Sequence, residues 1–257
     1  MRVLITGHKG FIGQNFCNAA YNRGWQVSTF DIADNPVTRP RELNFDGCDW
    51  VIHLGALSST TETNIQRVID LNVAWSIELF EECSRHGVNL QWASSASVYG
   101  QRGFGSVMSM SDICRPSSLY AKSKFLLEQY MLHSGDTRII HQGFRYFNVY
   151  GPYEDHKGNQ ASPYYQFAKQ AKETGVIKVF EGSENFYRDF IHVDKLIEIQ
   201  IDHMGKSLSG IYNIGTGSPR SFMDVARDVA LLHDAKIETI PFPEHLKKHY
   251  QRYTCAG

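Results

Sequence analysis

The chain has 257 residues, 42% of them hydrophobic, enough to bury one large core or two small ones. Its 26 basic and 27 acidic side chains leave a formal net charge of -1, which provides no bulk attraction to nucleic acid or to an anionic membrane. No apolar run approaches the roughly 18 residues of a membrane span, and the one after Met1-Arg2 is too short for a signal peptide, so a cytoplasmic protein without nucleic-acid or membrane partners is expected.

Val3-Leu4-Ile5 is the first buried-strand run, and a glycine turn follows it directly. Thr6-Gly7-His8-Lys9-Gly10-Phe11-Ile12-Gly13 spaces its glycines G-x-x-G-x-x-G and opens a helix. Such glycines allow a tight turn, close backbone approach to a pyrophosphate and close helix–strand packing. The helix N-terminus adds N–H groups and the positive end of its dipole. His8 and Lys9 bring further positive charge to the phosphate site. The second strand, Gln26 to Asp31, ends on an acid 18 positions after Gly13. That is close to the roughly 20-residue offset at which a carboxylate holds the adenine ribose. Asp31 favours NAD, but Arg39 and Arg41 follow in the next loop, so NAD and NADP both stay open.

Ile32 to Asp49, with Pro36 and Pro40, reads as a loop in place of a full helix. Trp50 to Leu54 is the third strand, and Val68, Leu71, Trp75, Leu79 and Cys83 recur at helical spacing after it. Leu90 to Ala93 is the fourth strand and runs into Ser94-Ser95. Tyr120 to His133 is a helix and Ile139 to Phe144 the fifth strand. This alternation predicts an α/β fold, a Rossmann-type doubly wound parallel sheet that binds ligands beyond the carboxyl ends of its strands.

After Tyr150-Gly151-Pro152 the pattern changes. Glu154 to Gln160 reads as a loop, and short strands follow around Lys178–Phe180, Asp189–Val193 and Ile211–Ile214. A helix over Phe222–His233 and a strand over Ile237–Ile240 come last. The expected division is a dinucleotide-binding domain over residues 1–150, with 189–207 returning to it. A smaller interleaved α/β substrate lobe would take 151–188 and 208–257. The five cysteines are scattered with no C-x-x-C pair, which reads as reduced thiols. The eleven histidines show no metal-ligand spacing, so no metal is expected.

Tyr120 and Lys124 share one helix face at i, i+4, and Ser95 ends the fourth strand. A phenol, with a reference pKa of about 10, is a poor base at neutral pH. A nearby ammonium and a positively charged nicotinamide favour the phenolate. Lys124 can also hold the nicotinamide ribose, and Ser95 can hydrogen-bond the reacting oxygen.

With its glycine turn, this trio resembles the short-chain dehydrogenase/reductase superfamily. Tyr99-Gly100 and Arg145-Tyr146-Phe147-Asn148-Val149-Tyr150-Gly151-Pro152 resemble the extended branch that handles sugar nucleotides. Ser58-Ser59-Thr60-Thr61-Glu62, His156-Lys157-Gly158, Phe180-Glu181-Gly182-Ser183, Arg188-Asp189-Phe190 and Ile240-Pro241-Phe242-Pro243 narrow this to a likeness to ADP-L-glycero-D-manno-heptose 6-epimerases. That resemblance implies inversion of C6 by transient oxidation, with one tightly bound NADP or NAD per subunit and Lys157 as second acid/base. A phosphate-binding or solvated Lys157 is the alternative. It also implies an ADP-heptose or related sugar nucleotide as ligand, lipopolysaccharide-core heptose precursor synthesis, and a homo-oligomer.

The same resemblance adds Leu54, Gly55, Ala56, Asn72 and Val149 to the cofactor set. It assigns the substrate to Ser58, Ser95, Asn148, Asn159, Gln166, Phe180, Glu181, Gly182, Ser183, Arg188 and Tyr250. Arg188 suits a forked contact with the pyrophosphate, whereas Asp189 and Asp194 read as local pairing or capping residues. Such enzymes usually continue beyond Tyr253-Thr254-Cys255-Ala256-Gly257 with a helical tail, so this chain is expected to be either minimal or truncated. Two other readings stay open: another sugar-nucleotide epimerase, such as a 4-epimerase, and a cofactor-binding protein without turnover. Ala96-Ser97-Val98 after Ser95 argues against a 4,6-dehydratase, which would carry an Asp-Glu pair there.

Overall fold

The computed structural model describes residues 1–59, 62–244 and 251–257. The chain divides into two compact units, residues 1–100, 113–146 and 197–213 in the first and 101–112, 147–196 and 214–257 in the second.

The first unit is built on parallel strands. β1 (Arg2–Thr6), β2 (Gln26–Phe30), β3 (Trp50–His53), β4 (Asn89–Ser95) and β5 (His141–Tyr146) pair in parallel in the order β2-β1-β3-β4-β5. All side chains of β3 and β5 are buried, as expected for inner strands covered on both faces, while β2 is largely open to solvent at the sheet edge. The helices are α1 (Phe11–Asn22), α2 (Ile65–Val68), α3 (Trp75–His86) and α4 (Leu119–His133). A π-helical stretch, Ile69–Ala74, joins α2 to α3 without a break. Leu4, Val51, Leu79, Leu90, Trp92, Leu127 and Met131 form the core. Gly143 of β5 is demanded by that packing: a Cβ there would stand 2.3 Å from the Trp92 ring. The strand order reverses between β1 and β3, the point where an open α/β sheet leaves a crevice for ligands.

The second unit holds three two-stranded pairs. β6 (Asn148–Tyr150) pairs with β9 (Phe190–His192), β7 (Val176–Phe180) with β12 (Lys236–Ile240), and β8 (Tyr187–Arg188) with β11 (Arg220–Ser221). α5 (Pro163–Thr174) and α7 (Phe222–His233) enclose Phe167, Ile177, Val179, Phe190, Val225 and Val229. Each helix is capped by a serine oxygen, Ser162 accepting from Tyr165 N and Ser221 from Asp224 N. α6 (Val193–Met204) follows β9.

Several expected elements change. Ile211–Ile214 lies in β10 (Gly210–Ile214), which adjoins β5 in the six-stranded sheet, so residues 197–213 belong with the first unit. Residues 101–112 belong with the second, where Met108 bridges to Ala256 and Met108 N donates to Cys255 O at 2.8 Å. The strand expected over Asp189–Val193 is the shorter β9, Phe190–His192, because Asp189 precedes it and Val193 opens α6. The fully buried Asp189 carboxylate accepts Thr216 N, Thr216 Oγ1, Gly217 N and Ala256 N at 2.6–2.9 Å, so the local pairing or capping expected of it is instead pairing with residues 27 to 67 positions along the chain. The loop expected over Glu154–Gln160 is a 3-10 segment, Asp155–Gln160, kinked at Gly158. Ile32 to Asp49 holds only a 3-10 turn, Pro40–Glu42.

Candidate active site

The glycine turn is shaped by backbone crowding. Gly7 takes φ +74°, and a Cβ on it would stand 2.4 Å from Gly55 N. A Cβ on Gly13 would stand 2.1 Å from Gly7 O, so α1 meets the turn only because glycine is there. Gly10 caps α1 without a side chain, and the first turn of the helix carries no acid. Phe11, Ile12 and Gly13 therefore bring the positive helix end to the turn with no built-in anion, a cradle that fits a pyrophosphate.

Asp31 stands at the end of β2, buried, and accepts Lys9 N at 3.1 Å and Ala33 N at 2.9 Å. Its carboxylate is thus braced against the glycine turn. The charge expected from His8 and Lys9 is offset: Lys9 Nζ pairs with Asp34, and His8 Nε2 lies 3.9 Å from the same carboxylate.

Leu54, Gly55, Ala56 and Ser58 follow β3, with Gly55 against Gly7 and Ala56 and Ser58 exposed. Asn72, fully buried in the π-helical stretch, clamps this loop. Its Oδ1 accepts Leu57 N at 2.8 Å, and its Nδ2 donates to Leu57 O at 3.0 Å and Ser123 Oγ at 3.1 Å. A π turn widens the helix locally and recurs at functional positions.

Ser118 caps α4, its Oγ accepting Ala121 N at 3.1 Å, so Tyr120 and Lys124 fall in the first two turns. Ser95 Oγ accepts Ser97 N at 3.2 Å and Ser97 Oγ at 2.9 Å, and Lys124 Nζ lies 6.0 Å from the Tyr120 ring centre. Burial depresses the Lys124 ammonium to about 8, against the opposing pull of Glu128. The lysine remains largely charged at neutral pH. The Tyr120 phenol departs from the expected depression: burial pushes it up, and the Ser95 hydroxyl only partly opposes this. In a site this enclosed, desolvation of the phenolate sets the direction.

Two groups escaped sequence reasoning. Glu128, one turn beyond Lys124 on α4, is fully buried and accepts Arg145 Nε at 2.9 Å, Arg145 Nη2 at 2.6 Å and the Ser94 hydroxyl. The Arg145 guanidinium in turn covers the Tyr99 ring at 4.7 Å. The available signal was the spacing Tyr120, Lys124, Glu128, a polar row at period four on a buried helix. His53 is also buried, with Nδ1 2.6 Å from Thr6 Oγ1 and Nε2 2.8 Å from Ser76 Oγ. Burial, and then the charge of Lys124, hold it near a pKa of about 3 and hence neutral.

In the second unit, Asn148 and Val149 lie in β6, beside Phe190 and Ile191 of β9. Lys157 Nζ is 3.1 Å from Oε2 of buried Glu154, whose carboxylate also accepts Gly151 N, Ser162 N and Ser162 Oγ. Asn159 is exposed, and Gln166 Nε2 donates to Gly158 O at 2.6 Å, which ties it to the kink after Lys157. Phe180 packs its ring 5.3 Å from Phe242, Glu181 N donates to Ile240 O, and Gly182 takes φ +80°. Ser183 is buried and bonds its hydroxyl to Phe180 O. Arg188 is buried with its guanidinium 5.4 Å over the Phe222 ring and Nη1 on Tyr187 O, rather than extended as an open fork. Tyr250 lies outside the described residues.

Among the described residues no cluster of His, Cys, Asp or Glu is suited to a metal ion, and no helix is long and apolar enough to cross a membrane. Comparison with known proteins agrees with a dinucleotide site. The chain is 27% identical to an ADP-L-glycero-D-manno-heptose-6-epimerase from Helicobacter pylori, with a TM-score of 0.88 over 99% of this chain and 87% of that one. It is 27% identical to MoeE5 solved with UDP-glucose and NAD, with a TM-score of 0.82 over 100% and 89% of the two chains. A UDP-glucose 4-epimerase from Thermus thermophilus, solved with NAD, matches at 25% identity and a TM-score of 0.84, over 100% and 90%. The family model described as NAD dependent epimerase/dehydratase matches residues 3–215, and the chain belongs to that family as an NAD-dependent enzyme of the nucleotide-sugar epimerase type.

Proposed function

We propose that this enzyme inverts C6 of the heptose in ADP-D-glycero-D-manno-heptose, as a step in making the heptose precursor of lipopolysaccharide cores. The observation that carries the chemistry is Tyr120 one turn from the buried ammonium of Lys124 on α4, the Lys124 Nζ lying 6.0 Å from the Tyr120 ring centre. The choice of sugar rests on the quoted segments of the second unit and on the likeness to the Helicobacter pylori enzyme.

NAD, held by Asp31 and the turn from Gly7 to Gly13, would supply a reversible hydride acceptor, so that no net redox would occur. Tyr120 takes the proton from the C6 hydroxyl as the hydride leaves, and Ser95 holds the reacting oxygen. The Lys124 ammonium supports the phenolate. After the ketone presents its other face, Lys157 exchanges the proton on the oxygen there, steadied by its bond to Glu154. Asp31 and the turn from Gly7 to Gly13 hold the dinucleotide. Asn148, Arg188 and Phe180 through Ser183 bind the substrate.

The test is proton NMR of the purified protein with ADP-D-glycero-D-manno-heptose. The C6 epimer is expected, abolished in Tyr120→Phe and strongly slowed in Lys157→Met. No conversion of this sugar together with epimerisation of UDP-glucose would favour a 4-epimerase, the second reading, which the Thermus thermophilus match supports. NAD binding without hydride exchange on either sugar would identify a binding protein.

A further inference from the structure

The residues Arg252–Gly257 run as a strap along the second unit. Tyr187 N donates to Arg252 O at 2.8 Å, and Thr254 N donates back to Tyr187 O at 3.2 Å. Ala256 N donates to the Asp189 carboxylate at 2.9 Å, and Gly257 N to Met108 O at 3.0 Å. Thr254, 5% exposed, is therefore held on both sides by backbone bonds.

Its hydroxyl lies between two partners. Thr254 Oγ1 accepts Asp189 N at 3.2 Å and stands 3.3 Å from Asn148 Oδ1. An amide oxygen only accepts, so the hydroxyl donates its single proton to Asn148 Oδ1 while its oxygen accepts Asp189 N. The bond sets which way the amide is turned. Oδ1 faces Thr254, and Nδ2 makes no hydrogen bond among the described residues. The Asn148 backbone has no freedom to compensate, because its N–H donates to Asp189 O at 3.0 Å and β6 is paired with β9. A half-buried amide fixed in this sense offers donors to whatever binds beside it.

We propose that Thr254 is a positioning residue that turns the Asn148 amide so that its NH2 meets a hydroxyl or phosphate oxygen of the nucleotide sugar. This rests on the reading of Asn148 as a substrate contact. The strap thereby contributes to substrate selection without touching the reacting atoms.

The test pairs Thr254→Val, which keeps the shape and loses the hydroxyl, with Thr254→Ser, which keeps the hydroxyl. With ADP-D-glycero-D-manno-heptose as probe, or UDP-glucose if only that sugar turns over, Thr254→Val should raise KM by about five- to tenfold, the worth of one neutral hydrogen bond. Thr254→Val should also melt somewhat lower, because Asp189 N loses its acceptor, with little change in kcat or bound NAD, and Thr254→Ser should restore both KM and melting temperature. Asn148→Ala should raise KM by itself, and adding Thr254→Val should then change nothing more. A raised KM in Asn148→Ala with none in Thr254→Val overturns the positioning role while leaving the substrate reading intact. An unchanged KM in Asn148→Ala, or no turnover and no calorimetric binding of either sugar, overturns the substrate reading and the inference with it. A KM rise in Thr254→Val that Thr254→Ser does not reverse, accompanied by a lower melting temperature, marks a merely structural role and also overturns the proposal.

Discussion

Arg145 and Glu128 meet as a two-pronged ion pair with both side chains buried, the guanidinium Nε and Nη2 lying 2.9 and 2.6 Å from the carboxylate oxygens. Glu128 is one helical turn from Lys124, so the pair lies beside the Tyr120–Lys124 row of α4 and links it to β5. A buried pair of this kind contributes little net stability when intact, but breaking it strands a charge.

Glu128→Gln is therefore expected to destabilise the protein by about 3–5 kcal/mol, read by urea denaturation. It should also move the pH profile. Glu128 raises the pKa of Lys124, so its loss takes that pKa further below about 8. Activity that needs the ammonium is lost as pH rises through this value. The basic limb of kcat should thus shift to lower pH, and an unmoved limb would show that Lys124 is insensitive to Glu128.

Removing the Tyr120 hydroxyl, the proposed acid/base, should leave binding intact. Tyr120→Phe is expected to lower kcat by about 10²- to 10⁴-fold with bound NAD unchanged, as measured by turnover and by cofactor content. Ser95→Ala, which removes the hydroxyl that opposes the upward push of burial on the phenol, should cost about tenfold. A Tyr120→Phe enzyme of undiminished rate would remove the phenol from the chemistry.

His53 predicts a pH effect on stability. Its folded pKa of about 3 lies below the unfolded value of about 6.5, so between those values the unfolded chain binds the extra proton. The contribution is complete above about pH 6.5 and is lost as pH falls, at about 1.4 kcal/mol per unit. His53→Gln should flatten the acid limb of unfolding free energy against pH, relative to wild type. Parallel limbs for the two proteins would show that His53 titrates normally in the fold.

The glycine turn separates steric from conformational demands. Gly7→Ala and Gly13→Ala drive a Cβ into backbone at 2.4 and 2.1 Å, so both should lose bound NAD and melt early. Gly24 also has a positive φ, +69°, but open space around its missing Cβ. Gly24→Ala should cost only about 1–2 kcal/mol and retain NAD. Cofactor content and thermal melting of the three variants distinguish these outcomes.

What the chain's order of residues determines by itself is local. The glycine turn, the acid ending β2, the serine ending β4 and the i, i+4 pair on α4 are all legible, because backbone sterics and helical spacing act within a few residues. The loop at Ile32 to Asp49 is legible for the same reason, from its prolines.

Tertiary structure decided the rest. Asp189 reads as a local capping residue, yet its carboxylate bonds residues as distant as Ala256, 67 positions along the chain. β10 joins the large sheet although the residues before it alternate between the two units. His53, Glu128 and Arg145 look like ordinary polar residues in sequence. Only packing shows them buried and bound to partners, and that burial sets the charge of Lys124 and His53. Desolvation depends on everything that closes around a group, which no short window of residues contains.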